Sequence, residues 1–235
     1  MRNITQRSTT TNLCRRLAPA CSVAAALFFT LFLSGCEYLD DFDDFGKDKD
    51  KNEQEMYEVK LTDLNNSGVT GTATVMYNEE GEFTVLVNAK NLVPSMVHPQ
   101  HIHGFDMEDK DAVCPPSSAA GQDGLLTLAD GLPFYGPVLL PLDDELVPLE
   151  VNNFPKASAS GSLNYIGVVK TSSLVAAIDA KYEEEQTMED FKAEERVIVI
   201  HGAYVKDNKI VPAGTQGAEY MATLPVACGE VKKMH

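Results

Sequence analysis

The chain has 235 residues, of which 44% are hydrophobic and 23% are charged. This composition provides enough apolar side chains for one globular core, so it excludes general disorder and a multi-span membrane protein. The formal net charge of −16 opposes binding to a phosphate backbone. We therefore expect no nucleic-acid partner.

The beginning of the chain differs from the rest in charge and hydropathy. Its first 35 residues include four arginines and no acidic residue, and an apolar run from Leu17 to Leu33 leads into Leu-Ser-Gly-Cys. This pattern resembles a bacterial lipoprotein signal peptide, in which cleavage precedes an acylated cysteine. The resemblance implies that residues 1–35 are removed and that Cys36 carries lipid. The lipid would hold the protein on a membrane of the bacterial cell envelope, facing the periplasm or the outside.

The residues after Cys36 divide into a tether and one folded domain. Residues 36–55 are strongly acidic and have no periodicity that could form a core, which is typical of a solvated spacer. From Met56 onward the chain has the apolar patterning of a folded domain. We expect this domain to extend over residues 56–235, with no internal repeat.

Period-two alternation predicts strands in the domain. Tyr57, Val59 and Leu61 alternate with polar neighbours, and two further alternating runs flank the turn sequence Asn-Glu-Glu-Gly at residues 78–81. Further candidate strands are residues 100–107, 161–170, 196–205 and 222–231. The spacing predicts an all-β, antiparallel Greek-key sandwich or barrel of about seven or eight strands. Apolar residues at three-to-four spacing predict one helical insertion over residues 172–195.

The cysteines point to one disulfide. Cys14 and Cys21 lie in the predicted signal peptide and Cys36 is the predicted lipid site, which leaves Cys114 and Cys228. Two cysteines in the folded part of an exported chain favour a disulfide between them. The alternative is two separate buried thiols.

Histidines are the best candidates for chemistry. His101 and His103 flank Ile102, so on a strand both imidazoles share one face while Ile102 points into the core. His201 ends a strongly apolar strand, and His98 could join from the loop before the pair. Imidazole nitrogens suit copper and zinc. Alternatively, two exposed histidines on a strand need bind nothing.

The order of these motifs resembles the copper/zinc superoxide dismutase family. His-Ile-His-Gly at residues 101–104 precedes one cysteine, and a later apolar strand ending in His201 precedes Ala-Cys-Gly at residues 227–229. The resemblance implies a copper site formed by His101, His103 and His201. It also implies a disulfide between Cys114 and Cys228.

The chain departs from that family in ways that affect activity. No histidine occurs between Cys114 and His201, so the metal-bridging and zinc-site histidines have no counterpart and we expect no zinc site of that kind. Pro225 stands where the family has an arginine that guides the anion, and the acidic chain would attract superoxide poorly. We therefore do not expect fast dismutation, and residual copper-dependent superoxide dismutase activity is the alternative. Tyr135, in the region of the family's zinc loop, could approach the metal cleft or pack within its own loop.

A second resemblance provides an alternative. The residues from Gly71 to Gly104 also resemble the CHRD domain, an extracellular β module without an agreed enzymatic activity. In that case the protein is a metal-free surface module for binding or structure. Sequence motifs for serine hydrolases, dithiol redox proteins and nucleotide binding are absent. The sequence predicts neither a protein partner nor an oligomeric state.

Overall fold

The structure is a computed structural model, which describes residues 53–105, 110–151, 153–182 and 187–234. These residues form nine strands and two α-helices. The strands are β1 (Glu55–Asp63), β2 (Thr70–Tyr77), β3 (Glu82–Lys90), β4 (Gln100–His103), β5 (Val138–Pro141), β6 (Leu163–Lys170), β7 (Val197–Lys206), β8 (Lys209–Ile210) and β9 (Glu219–Lys233). The helices are α1 (Leu128–Tyr135) and α2 (Thr171–Tyr182). Every strand pair is antiparallel, which confirms the predicted all-β class.

Eight of the strands follow one continuous hydrogen-bonded order, β5-β4-β7-β9-β1-β2-β3-β6, and β8 pairs with β7. The long strand β9 connects the two halves of this order because it pairs with both β7 and β1. Cys228, for example, lies opposite Thr62 on one side and Val199 on the other. The connections from β3 to β4, from β5 to β6 and from β6 to β7 each cross between the halves, as expected for a Greek key.

The core lies between the halves of the curled sheet. Val59, Val75 and Val85 are at most 1% exposed, and each belongs to the alternating set of inward-facing residues on its strand. On β7, Ile198 and Ile200 join this main core, whereas Val197 and Val199 belong to a second apolar cluster with Tyr135. Strand β7 is therefore covered on both faces. The second apolar cluster, which covers its other face, forms one wall of the site described below.

Helix α1 was not predicted from the sequence. Gly131 and Pro133 both disfavour a helix interior, but the side chains and backbones of Thr127 and Asp130 form a reciprocal capping box. Pro133 lies inside the helix and lacks the N–H that would otherwise donate to the carbonyl of Ala129, so the helix forms in spite of it. The helix ends at Tyr135, and Gly136 follows it with a φ of 76°.

The predicted helical insertion is only partly correct. Helix α2 begins at Thr171 and ends at Tyr182, and residues 183–186 lie outside the described part of the chain. Thr187 and Asp190 form a reciprocal cap of the kind that begins helices, but a turn and a short 3₁₀ helix (Ala193–Glu195) follow it in place of an α-helix. The physical reason is at Lys192, whose φ of 44° is incompatible with continuing a right-handed helix.

The disulfide between Cys114 and Cys228 is present, as predicted. It connects the loop before α1 to the part of β9 that pairs with both β1 and β7. The predicted signal peptide, the lipid site at Cys36 and most of the acidic tether lie outside the described residues and stay predictions. Neither described helix has the length and apolar character that a membrane crossing requires.

Candidate metal centre

Strand β4 positions two of the three histidines. Ile102 is 1% exposed and belongs to the main core, so its neighbours His101 and His103 project from the opposite face. On one side of the strand, His101 lies opposite Val199 and His103 lies opposite Val197 of β7. This pairing places both imidazoles over the outer face of β7.

His201 reaches the same face from β7. The regular pairing of β7 with β9 is interrupted by register shifts on both sides of His201. The His201 backbone N–H donates to the carbonyl of Pro99 at 2.8 Å, which connects this irregular segment to the residue just before β4. Gly202 follows with a φ of 111°, and a Cβ atom there would lie 2.2 Å from the Tyr220 hydroxyl oxygen. Only glycine fits this position without displacing its neighbours.

The three histidines converge. One ring nitrogen from each of His101, His103 and His201 lies within 4.8 Å of the nitrogens from the other two. The ring centroids are 5.4 Å apart for His101 and His103, 5.3 Å for His101 and His201, and 5.9 Å for His103 and His201. Three imidazole nitrogens that ligate one ion at about 2.0–2.1 Å are about 3.3–3.6 Å apart in tetrahedral or trigonal geometry. Side-chain shifts of about 1 Å would therefore close the group around a single ion.

Each histidine contributes one buried nitrogen that has no hydrogen-bond partner among the described residues. These atoms are Nδ1 of His101, Nε2 of His103 and Nε2 of His201. Nδ1 of His103 donates to the carbonyl of Gly136 at 2.9 Å, and Nδ1 of His201 donates to the carbonyl of Thr223 at 3.0 Å. Because a carbonyl only accepts, these bonds fix the tautomers and leave a lone pair on each Nε2. Three unpartnered nitrogens on three converging rings fit a metal ion.

The electrostatic setting keeps the imidazoles neutral. Burial lowers the pKa of His103 to about 4, although the carbonyls of Gly136 and Pro137 oppose the change. Burial, followed by the effect of neighbouring imidazoles, lowers the pKa of His201 to about 3 and that of His101 to about 2. Near neutral pH no proton therefore competes for the three lone pairs.

Helix α1 provides the support for His103. The Tyr135 ring packs against the His103 ring with centroids 4.7 Å apart, and the next residue, Gly136, supplies the carbonyl that orients Nδ1. The Tyr135 hydroxyl donates to the carbonyl of Leu128 at 3.1 Å. Tyr135 therefore lies beside the centre as a packing residue, with its hydroxyl bonded to its own helix.

The structure places His98 outside this group. His98 is fully buried, and its Nδ1 and Nε2 lie 2.9 Å and 3.1 Å from the carbonyl oxygens of His201 and Val93. Both ring nitrogens thus face backbone acceptors, and neither offers a lone pair to the centre. Burial lowers the pKa of His98, against the influence of the two carbonyls. His98, the further candidate ligand, therefore lies outside the metal group and supports the strand that carries His201.

Comparison with known proteins adds only a weak similarity to solved structures. No family model matches the chain, and no curated protein matches it. Among solved structures, two variants of superoxide dismutase 5 from Candida albicans are similar, each at 14% identity over 77% of this chain and 93% of the other chain. Their TM-scores are 0.31 and 0.33. At such low similarity, the fold class rests on the strand order and register of the chain itself.

Three features of the centre were missed in the sequence. Gly136 and Thr223 act through backbone carbonyls, which any residue possesses, so residue type gives no signal for them. Phe154 packs against the His101 ring with centroids 5.0 Å apart, and it lies in a loop without periodic pattern. Only the capping box that begins α1 offered a sequence signal for one wall of the centre.

Proposed function

We propose that this protein is a lipid-anchored, extracytoplasmic, superoxide dismutase-like protein that holds one copper ion through His101, His103 and His201. The observation that carries the proposal is the convergence of three buried, unpartnered imidazole nitrogens from two strands. Leaving such groups buried without a partner costs about 1–3 kcal/mol each, which a bound ion would offset. The lipid anchor is proposed from the sequence around Cys36.

Copper is the metal that the donor set favours. The group consists of imidazoles alone, since no carboxylate or thiolate joins it among the described residues. At a nitrogen site, copper(II) binds more tightly than the other common divalent ions. Bound copper would supply one-electron chemistry, because three imidazole ligands leave a coordination position open. The protein holds the donors neutral, oriented and shielded from water.

Fast superoxide dismutation does not follow from this arrangement. The described residues place no fourth histidine in the group, and Pro225 occupies the position expected of a guiding arginine. A net charge of −16 opposes the approach of an anion. We therefore propose copper holding, delivery or slow redox chemistry as the role of the centre, and a superoxide assay on the copper-loaded protein tests for enzymatic activity.

The test of the proposal is a metal titration of the full chain purified in detergent. We expect one tight equivalent of Cu(II), weaker binding of Zn(II), and loss of the tight equivalent in His101→Ala. His235→Ala is the matched control, since the proposal gives this histidine no role in the centre, and it should leave the tight equivalent intact. If the wild type binds no stoichiometric copper, or if His101→Ala binds it as well as the wild type, the protein is not a copper protein of this kind. The metal-free module would then be the better description.

The anchor has its own test. In a bacterial host, the wild-type protein should be recovered in the membrane fraction, and Cys36→Ser should abolish lipid attachment. Cys14→Ser is the control, because it changes a cysteine inside the predicted signal peptide. Equal membrane association and equal lipid labelling of all three proteins would refute a lipid on Cys36.

A further inference from the structure

The three histidines of the centre are not supported in the same way. The rings of His103 and His201 each donate through Nδ1 to a backbone carbonyl, so each ring has a fixed orientation. His101 has no ring hydrogen bond to any residue that the structure describes, and it is the one histidine of the three that is partly exposed. No hydrogen bond within the described part of the chain therefore fixes the orientation of the His101 ring.

Aromatic packing restrains the His101 ring instead. The ring of Phe154 lies edge-to-face on the His101 ring, with centroids 5.0 Å apart and planes at 81°. Edge-to-face contacts between aromatic rings are favourable beyond the area that they bury. The rings of His103 and His201 pack against His101 from other directions. Of these three ring contacts of His101, only the one with Phe154 involves a residue outside the metal group.

The backbone on both sides of Phe154 is fixed. On one side, Asn153 donates to Asp144 through its backbone N–H at 3.2 Å and through its side-chain amide at 2.9 Å. Its carbonyl accepts in turn from the Asp144 backbone N–H at 3.1 Å. These three bonds form a clasp that holds the end of the loop carrying Phe154.

On the other side, the chain is bound to the segment that leads into β4. The carbonyl of Pro155 accepts from the backbone N–H of His98 at 3.0 Å, and Ala157 donates to the carbonyl of Met96 at 2.9 Å. Phe154 thus lies between two anchored positions, and one of the anchors is the peptide just before the histidine strand. This arrangement sets the ring of Phe154 relative to His101.

We propose that Phe154 is a positioning residue that holds His101 in its metal-binding orientation, in place of the hydrogen bond that the other two histidines have. This inference rests on the proposed copper site. It implies that His101 is the ligand with the weakest restraint, and that the Asp144–Asn153 clasp controls metal affinity without touching the metal.

The test compares copper affinity and Cu(II) electron paramagnetic resonance spectra of variants of the full chain. Outer contacts that orient metal ligands typically change metal affinity by about 10–100-fold, and we expect a loss in this range for Phe154→Ala. Phe154→Leu keeps most of the apolar bulk and should stay within about threefold of the wild type. Val151→Ala is the matched control, since Val151 is exposed in the same loop. Asp144→Ala should reproduce part of the loss by releasing the clasp.

A metal-free measurement separates this inference from the proposed function. In the copper-free protein, imidazole ¹⁵N and ring-proton spectra should show the largest change at His101 in Phe154→Ala, with smaller changes at His103 and His201, whose rings contact it. Wild-type affinity together with unchanged His101 signals in Phe154→Ala would overturn the inference. Absence of copper binding by the wild type would end the proposed function, while the His101 signals would still decide whether Phe154 orients the ring.

Discussion

Nδ1 of His98 lies 2.9 Å from the carbonyl oxygen of His201, so a buried histidine outside the metal group holds the backbone of a residue inside it. The second ring nitrogen of His98 faces the carbonyl of Val93 at 3.1 Å. His98 therefore connects the loop before β4 to the irregular end of β7, which is the junction that brings His201 to the pair on β4.

Replacing His98 should destabilise the fold. His98→Leu would leave a buried carbonyl without its donor, since a neutral imidazole donates through one nitrogen only, and we expect a loss of about 1–3 kcal/mol in the free energy of unfolding, measured by urea titration. His98→Asn should recover part of the loss because its amide can donate from a position near Nδ1. A His98→Leu variant as stable as the wild type would show that these contacts contribute nothing.

Gly136→Ala should weaken copper binding. Gly136 has a φ of 76°, and a Cβ atom there would lie 2.4 Å from the carbonyl oxygen of Gly104, so the carbonyl that orients His103 would be displaced. We expect about 10–100-fold lower copper affinity. Gly214→Ala is a matched control, because Gly214 has a φ of 84° with open space around it. Both variants carry backbone strain of about 1–3 kcal/mol, but only Gly136→Ala should change the metal affinity.

Two roles were considered for Tyr135, contact with the metal and packing within its own loop. They predict different results when its hydroxyl is removed. Because the hydroxyl is bonded to the carbonyl of Leu128, Tyr135→Phe should bind copper within about twofold of the wild type and keep the same Cu(II) spectrum. Tyr135→Ala removes the ring that packs on His103 and should lower the affinity by about 10–100-fold. A changed spectrum in Tyr135→Phe would instead indicate that the hydroxyl reaches the metal.

The metal-free protein should lose stability on mild acidification. Histidines of the unfolded chain titrate near pKa 6.5, whereas burial lowers the pKa of His103 to about 4 and that of His201 to about 3. As the pH falls below 6.5, the unfolded state takes up protons that the folded state does not, so the free energy of unfolding decreases until the pH reaches the folded-state values. Between pH 7.5 and pH 5 we expect a loss of about 1–2 kcal/mol for each of these two histidines.

Urea unfolding with a chelator present, repeated across this pH range, measures the effect. The double variant His103→Gln, His201→Gln lacks two of the buried histidines and should show a smaller dependence on pH. Identical pH dependence of the variant and the wild type would contradict the assignment of the effect to these histidines.

Loss of the disulfide should have a large effect on stability. Cys114 and Cys228 are 114 residues apart in the sequence. In the chain-entropy model, a cross-link that closes a loop of this length stabilises the fold by about 4–5 kcal/mol. The Cys114→Ser, Cys228→Ser double variant should therefore unfold at a much lower urea concentration than the oxidised wild type. Wild type treated with a reductant should match the double variant.

Local pattern was sufficient to predict much of the fold. Alternation at Tyr57, Val59 and Leu61 identified β1, and the same period placed His101 and His103 on one face. These predictions succeed because period-two burial is a property of neighbouring residues. The meeting of His201 with the pair depends on the pairing of β4 with β7, which is set by tertiary structure. Only the resemblance to a known family indicated it beforehand.

The elements that were missed lack a clear local signal. In α1, Gly131 and Pro133 lower the helix propensity, and the cap at Thr127 and burial of Tyr135 outweigh them. Strand β5 has only four residues, which is too short for a period to be recognised. The position of Phe154 depends on hydrogen bonds between distant loops, so no residue pattern could have assigned it to the centre.

The pairing of the first and last long strands has a consequence for protein engineering. Met234 donates from its backbone N–H to the carbonyl of Met56 at 2.9 Å, so the chain enters and leaves the domain at one corner. Adjacent ends of this kind are the usual condition for circular permutation. A short linker between the two ends, with new termini in the exposed turn around Gly214, would leave the β4–β7 pairing intact.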